Sequence, residues 1–207
     1  MLTVKPDPYN YTDSMTSFSE QLKQLLNSNK PITVQALINS FGEKSFAVLF
    51  LVLLAIPALP LPTGGVTHVL EIIAMLLASE LMAGRRTVWL PNRWLNKKLP
   101  DSLQFSALPK LVSFINRVER LSHPRLVKLQ NNKLFTSFIG GTILIFSLVA
   151  FFAPPFSGLD TLPALGVVVM SLGIIFEDFI INLVGLIIGG IGTGLVLLMG
   201  GLVYHLI

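Results

Sequence analysis

Polar and apolar positions divide the chain into five stretches, and the rhythm of each predicts the element it forms. In residues 1–44 apolar side chains recur at helical spacing. Phe18, Leu22, Leu25 and Leu26 share one face behind Ser17 and Glu20, which stand at a capping-box spacing, and Val34, Leu37, Ile38 and Phe41 follow Pro31 at i, i+3, i+4 and i+7. Such amphipathic helices either lie in a membrane interface or dock their apolar stripe on the rest of the protein. Residues 45–83 are almost continuously apolar, interrupted where Pro57, Pro60, Pro62, Gly64 and Gly65 crowd together. Prolines remove backbone donors and glycines permit sharp turning, so this block predicts two helical arms folded back on each other. Each arm has about 17 to 19 residues once the turn is set aside, a length that fits a re-entrant hairpin and two tilted spans alike.

Residues 134–178 repeat the design, with one arm ending at FFAPPFSGLD and a return arm from Leu162. A single constant offset places Pro57 on Pro154, Met75 on Leu172 and Glu80 on Glu177, a weak internal repeat of the kind that builds pseudo-symmetric membrane cores. Between the hairpins, residues 84–133 form a connector with a predicted helix from Pro109 to Ser122. Its apolar stripe is Leu108, Leu111, Val112, Ile115 and Val118, opposite Lys110, Arg117 and Arg120. Residues 179–207 predict one span in which Gly185 and Gly189, and Gly190 and Gly194, are spaced four apart for close helix packing. The expected fold is all-α: a single polytopic membrane domain of two Pro/Gly-broken hairpins, re-entrant or spanning, in a pseudo-symmetric repeat, with amphipathic interfacial helices and a C-terminal span.

Composition makes the bilayer the expected solvent: 52% of residues are hydrophobic and 13% charged, with mean hydropathy +0.71, against roughly a quarter charged in soluble domains. The N-terminal residues are polar and show no apolar stretch behind basic residues, so insertion is expected to use the internal segments. Charge placement says more than the net +4. Eleven Lys and Arg fall in 84–133, against two acids, and none in 134–207. An excess confined to one connector between apolar blocks follows the positive-inside rule and places the connector in the cytoplasm. It argues against nucleic acid, for which no recognised module is present. Arg85, Arg86, Arg93, Lys97 and Lys98 around Trp89 and Trp94 suit an interfacial belt whose partners are anionic lipid headgroups.

The order of motifs resembles the exopolysaccharide-synthesis ExoD family of bacterial membrane proteins from about Pro31 to beyond Asp178. The residues that carry the resemblance are Phe41-Gly42-Glu43-Lys44-Ser45-Phe46, the break from Pro57 to Gly65, Gly84-Arg85-Arg86 and Trp89-Leu90-Pro91. They continue with Arg117, Glu119, Arg120, Pro124 and Arg125, then Leu162-Pro163-Ala164-Leu165 and Glu177-Asp178. The chain departs from the pattern at Phe179, where a glycine is expected. The resemblance implies a multi-pass protein of the bacterial inner (plasma) membrane that assists exopolysaccharide synthesis or export, with polysaccharide-assembly proteins as partners and no known catalytic residue. A homo-oligomer is compatible with it.

Candidate chemistry is confined to a few polar groups inside apolar blocks, where an ionisable side chain is expensive. His68 and Glu71 share a helix face and can hold a proton, an ion or a polar headgroup; the alternative is that they meet water near the non-cytoplasmic end. With Thr63, Thr67, Ser157 and Asp160 they would line a polar pocket if the two breaks meet, since broken helices leave backbone groups that need partners. Glu80, Glu177 and Asp178 either pair with Arg85 or Arg86 or form a carboxylate cluster for proton or cation handling. No cofactor, metal site or enzyme motif is expected: HExxH, Walker A and GxSxG are absent, and GGIGTG at 189–194 follows no strand. The absence of cysteine excludes disulfides and thiolate sites. Three functions remain open: assistance to exopolysaccharide synthesis, a small proton- or cation-coupled transporter, and a scaffold for lipid or assembly partners.

Overall fold

The computed structural model describes residues 17–27, 32–59, 66–85, 87–96, 98, 108–125, 132–153 and 157–206. These are helical: α1 (Phe18–Asn27), α2 (Val34–Phe41), a 3-10 turn (Gly42–Lys44), α3 (Ser45–Leu54), α4 (Val66–Met82), α5 (Asn92–Leu95), α6 (Leu108–Leu121), α7 (Lys133–Phe152), α8 (Thr161–Ile175) and α9 (Phe179–Leu206). Local chemistry sets the ends. Thr33 accepts from the Ala36 N–H at 3.2 Å and Asn132 from the Leu134 N–H at 3.0 Å, each an N-cap that satisfies an orphan donor. α3 stops three residues before Pro57, whose ring and missing N–H bar the helix from continuing through it.

α3 reads SFAVLFLVLL, apolar on every side, and every one of its residues is buried. It is the centre of the molecule, packed on α8, α4 and α2. α8 is nearly as deep, enclosed by α3, α7 and α9. α4 lies against α7, and α9 against α8. The outer helices show the opposite pattern to a soluble protein. Val69, Ile72 and Leu76 on α4, Phe138, Ile145 and Leu148 on α7, and Leu183, Ile187, Ile191 and Leu198 on α9 are all exposed. An apolar surface on this scale marks a face made for lipid or for another protein. Lys133–Phe152 and Phe179–Leu202 are long and apolar enough to cross a membrane, in keeping with a membrane protein. The amphipathic helices dock: α1 packs on α6 with Leu22 and Leu25 buried, and α2 on α3 with Val34 and Leu37 buried.

The arms run antiparallel across the halves. A Cβ on Gly140, near the start of α7, would stand 2.5 Å from the Met82 backbone nitrogen at the end of α4, while His68 at the start of α4 packs on Phe151 at the end of α7. Lys44, before α3, reaches Ile175 at the end of α8. One end of the bundle, the tip, therefore holds both breaks, and the other, the base, holds the ends that join the connector. Of the two glycine pairs on α9, Gly185 and Gly189 pack, since a Cβ on Gly185 would stand 2.6 Å from Met170 and one on Gly189 would strike the Phe146 ring. Gly190 and Gly194 face open space instead.

The offset that aligns Glu80 with Glu177 does not describe the helix ends. Gly84 donates to Leu81 O at 2.9 Å and Arg85 to Glu80 O at 3.1 Å; Glu177 donates to Ile174 O at 3.3 Å and Asp178 to Gly173 O at 2.9 Å. Both are Schellman caps, with Gly84 (φ 78°) and Glu177 (φ 56°) in the same left-handed position. α3 ends at Leu54 and α4 begins at Val66, while α7 ends at Phe152 and α8 begins at Thr161, so no single offset fits both arms. Glu177 is the one non-glycine with positive φ among the described residues.

Candidate functional site

The polar residues singled out in the sequence divide between the two ends. At the tip, the first turns of α4 carry Thr67, His68 and Glu71 towards the bundle. Thr67 is buried, and the Glu71 side chain is 0% exposed, with neither carboxylate oxygen in a hydrogen bond among the described residues. His68 stands one turn nearer the surface, its side chain 38% exposed and its Nδ1 3.4 Å from Glu71 Oε2. That distance is an ion-pair contact; the geometry is not that of a hydrogen bond. The other side of the imidazole packs on Phe151, ring centroids 5.1 Å apart. Asp160 enters from the second hairpin, just before α8, within electrostatic reach of Glu71 and His68. The second hairpin thus adds a carboxylate and an aromatic wall to a histidine and a buried carboxylate from the first.

Ser157 is exposed and its hydroxyl accepts from the Leu159 N–H at 3.2 Å, so it serves the turn into α8. Thr63 lies outside the described residues, as do Pro60, Pro62, Gly64, Gly65 and Pro154. Among the described residues no group of three His, Cys, Asp or Glu has metal-binding geometry.

Glu80, Glu177 and Asp178 belong to the base and have separate structural partners. Glu80 accepts from the Trp89 N–H at 2.9 Å, and Arg85 places its guanidinium 5.9 Å from the Trp89 ring centroid. Trp89 itself is 64% exposed. Glu177 pairs with Lys44 at 3.4 Å, so its cation is the lysine before α3 rather than Arg85. Asp178, buried, accepts from the Ile180 N–H at 2.9 Å and the His123 N–H at 3.1 Å. It is the N-cap of α9 and the anchor of the connector, and needs no arginine for those bonds. A carboxylate that begins the next helix was legible as a helix-start signal; read as the end of the arm before it, Asp178 lost that role.

Of the proposed headgroup contacts, Trp94 is half-buried against the core, Lys98 is exposed and bridges to Thr33, and Arg86, Lys97 and the Arg93 side chain lie outside the described residues. Two base contacts had no signal in the sequence. Glu119 on α6 accepts from the Phe18 N–H at 2.8 Å, so a side chain about a hundred positions away satisfies the first turn of α1. Arg125 donates its N–H to the Glu177 carbonyl at 3.0 Å.

Comparison with known proteins agrees with the motif order. The family model described as "Exopolysaccharide synthesis, ExoD" matches residues 18–198. The protein named ExoD of Rhizobium meliloti (strain 1021) is 31% identical over 177 residues, 81% of this chain and 71% of its own length. Uncharacterized protein slr1875 of a Synechocystis strain is 29% identical over 145 residues, 70% of this chain and 68% of its own. No solved structure matches. With the family model covering most of the chain and the Rhizobium protein aligned across four-fifths of it, this chain belongs to the ExoD family of exopolysaccharide synthesis.

Proposed function

We propose that this chain is a multi-pass protein of a bacterial inner membrane that supports exopolysaccharide synthesis by binding and releasing a proton or small cation at Glu71. The observation that carries the reading is the state of that carboxylate. It is buried within apolar helices and, among the described residues, has no hydrogen-bond partner on either oxygen. An ionised carboxylate in that position is costly, so the closed site needs a bound proton or cation to neutralise it. His68 supplies a route, being exposed on one side and in contact with Glu71 on the other. Asp160 adds a second charge from the other half, so occupancy at Glu71 is coupled to how the hairpins sit.

In this reading the basic connector lies in the cytoplasm and both tips point to the opposite face. The first hairpin is re-entrant, supported by α3: at 1.5 Å per residue its ten residues rise about 15 Å, half of a hydrocarbon core of about 30 Å. The packing of α3 on α8 and of α4 on α7 supports a pseudo-two-fold relation between the hairpins. At the base, Arg85 and exposed Trp89 meet anionic headgroups.

The test is infrared difference spectroscopy of the purified protein through a pH titration, with proton flux measured in proteoliposomes. A protonated-carboxyl band that titrates in the wild type and disappears in Glu71→Gln, together with loss of pH-driven flux and of polysaccharide output in cells, is the expected result. Normal flux and output in Glu71→Gln would overturn the reading.

A further inference from the structure

A cavity lies at the base, at the opposite end of the bundle from Glu71. It is an open cleft of about 510 Å³ between α1, the end of α2, α6 and the turn after α8, within the size range of small-molecule sites. One wall is aromatic: Phe18 stands 5.1 Å from Phe41 and 6.1 Å from Phe176 between ring centroids. Apart from Ile175, the remaining described lining is polar and carries both donors and acceptors. Lys44 and Glu177 are each nearly half exposed in the cleft. The hydroxyl oxygen of Ser40 is out of solvent and without a hydrogen-bond partner, although it lines the cleft. A buried hydroxyl without a partner is a group awaiting one.

The balance of charge selects the ligand. Among the described lining residues Lys44 is the single ammonium, facing two carboxylates, Glu177 and Glu119, and Lys44 is already engaged by the Ile175 carbonyl at 2.7 Å. A phosphate or carboxylate ligand would therefore meet net negative charge. A neutral polyhydroxylated ring would meet carboxylates that accept its hydroxyls, a lysine and a serine that donate to them, and phenyl faces that cover its C–H surface.

We propose that this cleft binds an uncharged glycosyl unit, a mono- or disaccharide, at the connector end of the bundle. The choice of a sugar over other polyols rests on the family's link to exopolysaccharide and not on proton handling at Glu71.

The experiment is saturation-transfer NMR on the full chain in phosphatidylcholine nanodiscs, with methyl α-D-glucopyranoside and methyl β-D-galactopyranoside as probes and glucose 1-phosphate and glycerol as comparisons. Saturation transferred to ring C–H protons of at least one neutral glycoside, and weaker transfer to glucose 1-phosphate and glycerol, is expected. Ser40→Leu, which removes the hydroxyl and puts a bulkier apolar side chain in the cleft wall, should weaken the signal, and Glu177→Gln should weaken binding about tenfold through loss of a charged acceptor. Glu71→Gln should leave it unchanged, so failure of the proton reading and of this one are separable. No transfer to either glycoside, stronger transfer to glucose 1-phosphate, equal transfer to glycerol, or undiminished binding in Glu177→Gln would each overturn the assignment; should Ser40→Leu not fold, Glu177→Gln decides.

Discussion

Lys44 stands 3.4 Å from Glu177 and donates to the carbonyl of Ile175 at 2.7 Å, so one ammonium ties the residue before α3 to the end of α8. The two side chains are nearly half exposed, which limits the ion pair to a fraction of a kcal/mol. The bond to a helix-terminal carbonyl adds a comparable amount. Lys44→Met should therefore lower stability by about 1 kcal/mol. Thermal unfolding in detergent at low and high salt checks it: the loss should shrink at high salt, because the exposed ion pair and the charge at the helix end are both screened.

Glu177 holds a left-handed backbone that favours glycine. Glu177→Gly should stay within about 1 kcal/mol of the wild type, because relief of strain offsets the lost ion pair and the greater freedom of the unfolded chain. Glu177→Val should cost about 2 kcal/mol, since a β-branched side chain tolerates this conformation least. Midpoints of unfolding for the two variants give the order; a valine variant as stable as the glycine one would contradict it.

Asp178 serves two donors at once, the Ile180 N–H that begins α9 and the His123 N–H of the connector. Asp178→Ala leaves both without this acceptor and should cost about 2 to 3 kcal/mol, while Asp178→Asn should recover part of it. Proteolysis of the connector reads the second role separately: cleavage after Arg125 should accelerate in the alanine variant.

Glycine on α7 and α9 can be tested as packing against propensity. Gly140→Ala drives a methyl group into the Met82 backbone and should cost about 1 to 3 kcal/mol. Gly190→Ala meets nothing within 4 Å and should be neutral or stabilising by up to about 1 kcal/mol. Thermal stability of the purified variants distinguishes them.

The chain has no cysteine, so single introduced cysteines report sidedness cleanly. Lys110 at the base and Ser157 at the tip are both exposed. Lys110→Cys should react with a membrane-impermeant maleimide only after the cytoplasmic face is opened, and Ser157→Cys in intact spheroplasts. The same sidedness for both would remove the proposed topology.

Much of the fold was legible because lipid-facing and core-facing helices both need apolar residues, and proline and glycine mark where they stop. Pro57 placed the first break, and the stripe of Leu111, Val112 and Ile115 placed α6. What the residues could not show was which helices are inside: α3 and α9 are almost equally apolar, yet α3 is buried on all sides and α9 is widely exposed. Apolarity has the same appearance against protein and against lipid. The tip residues His68 and Glu71 stood out because charge is rare there. The base was illegible for the opposite reason. Lys44 and Glu119 are ordinary residues in charged neighbourhoods, joined to Ile175 and Phe18 by contacts across 131 and 101 positions that no local spacing encodes.

The enclosure of α3 also bears on how the chain is made. Its strongest neighbour among the later helices is α8, which emerges from the ribosome more than a hundred residues after it. At ordinary synthesis rates of roughly 5–20 residues per second, α3 waits several seconds or more without the partner that covers it. During that interval its apolar surface has lipid, the insertion machinery or a chaperone to rest against. A ribosome stalled in the connector would leave α3 uncovered, so chains truncated before α7 should be cleared by membrane proteases far faster than chains truncated after α8.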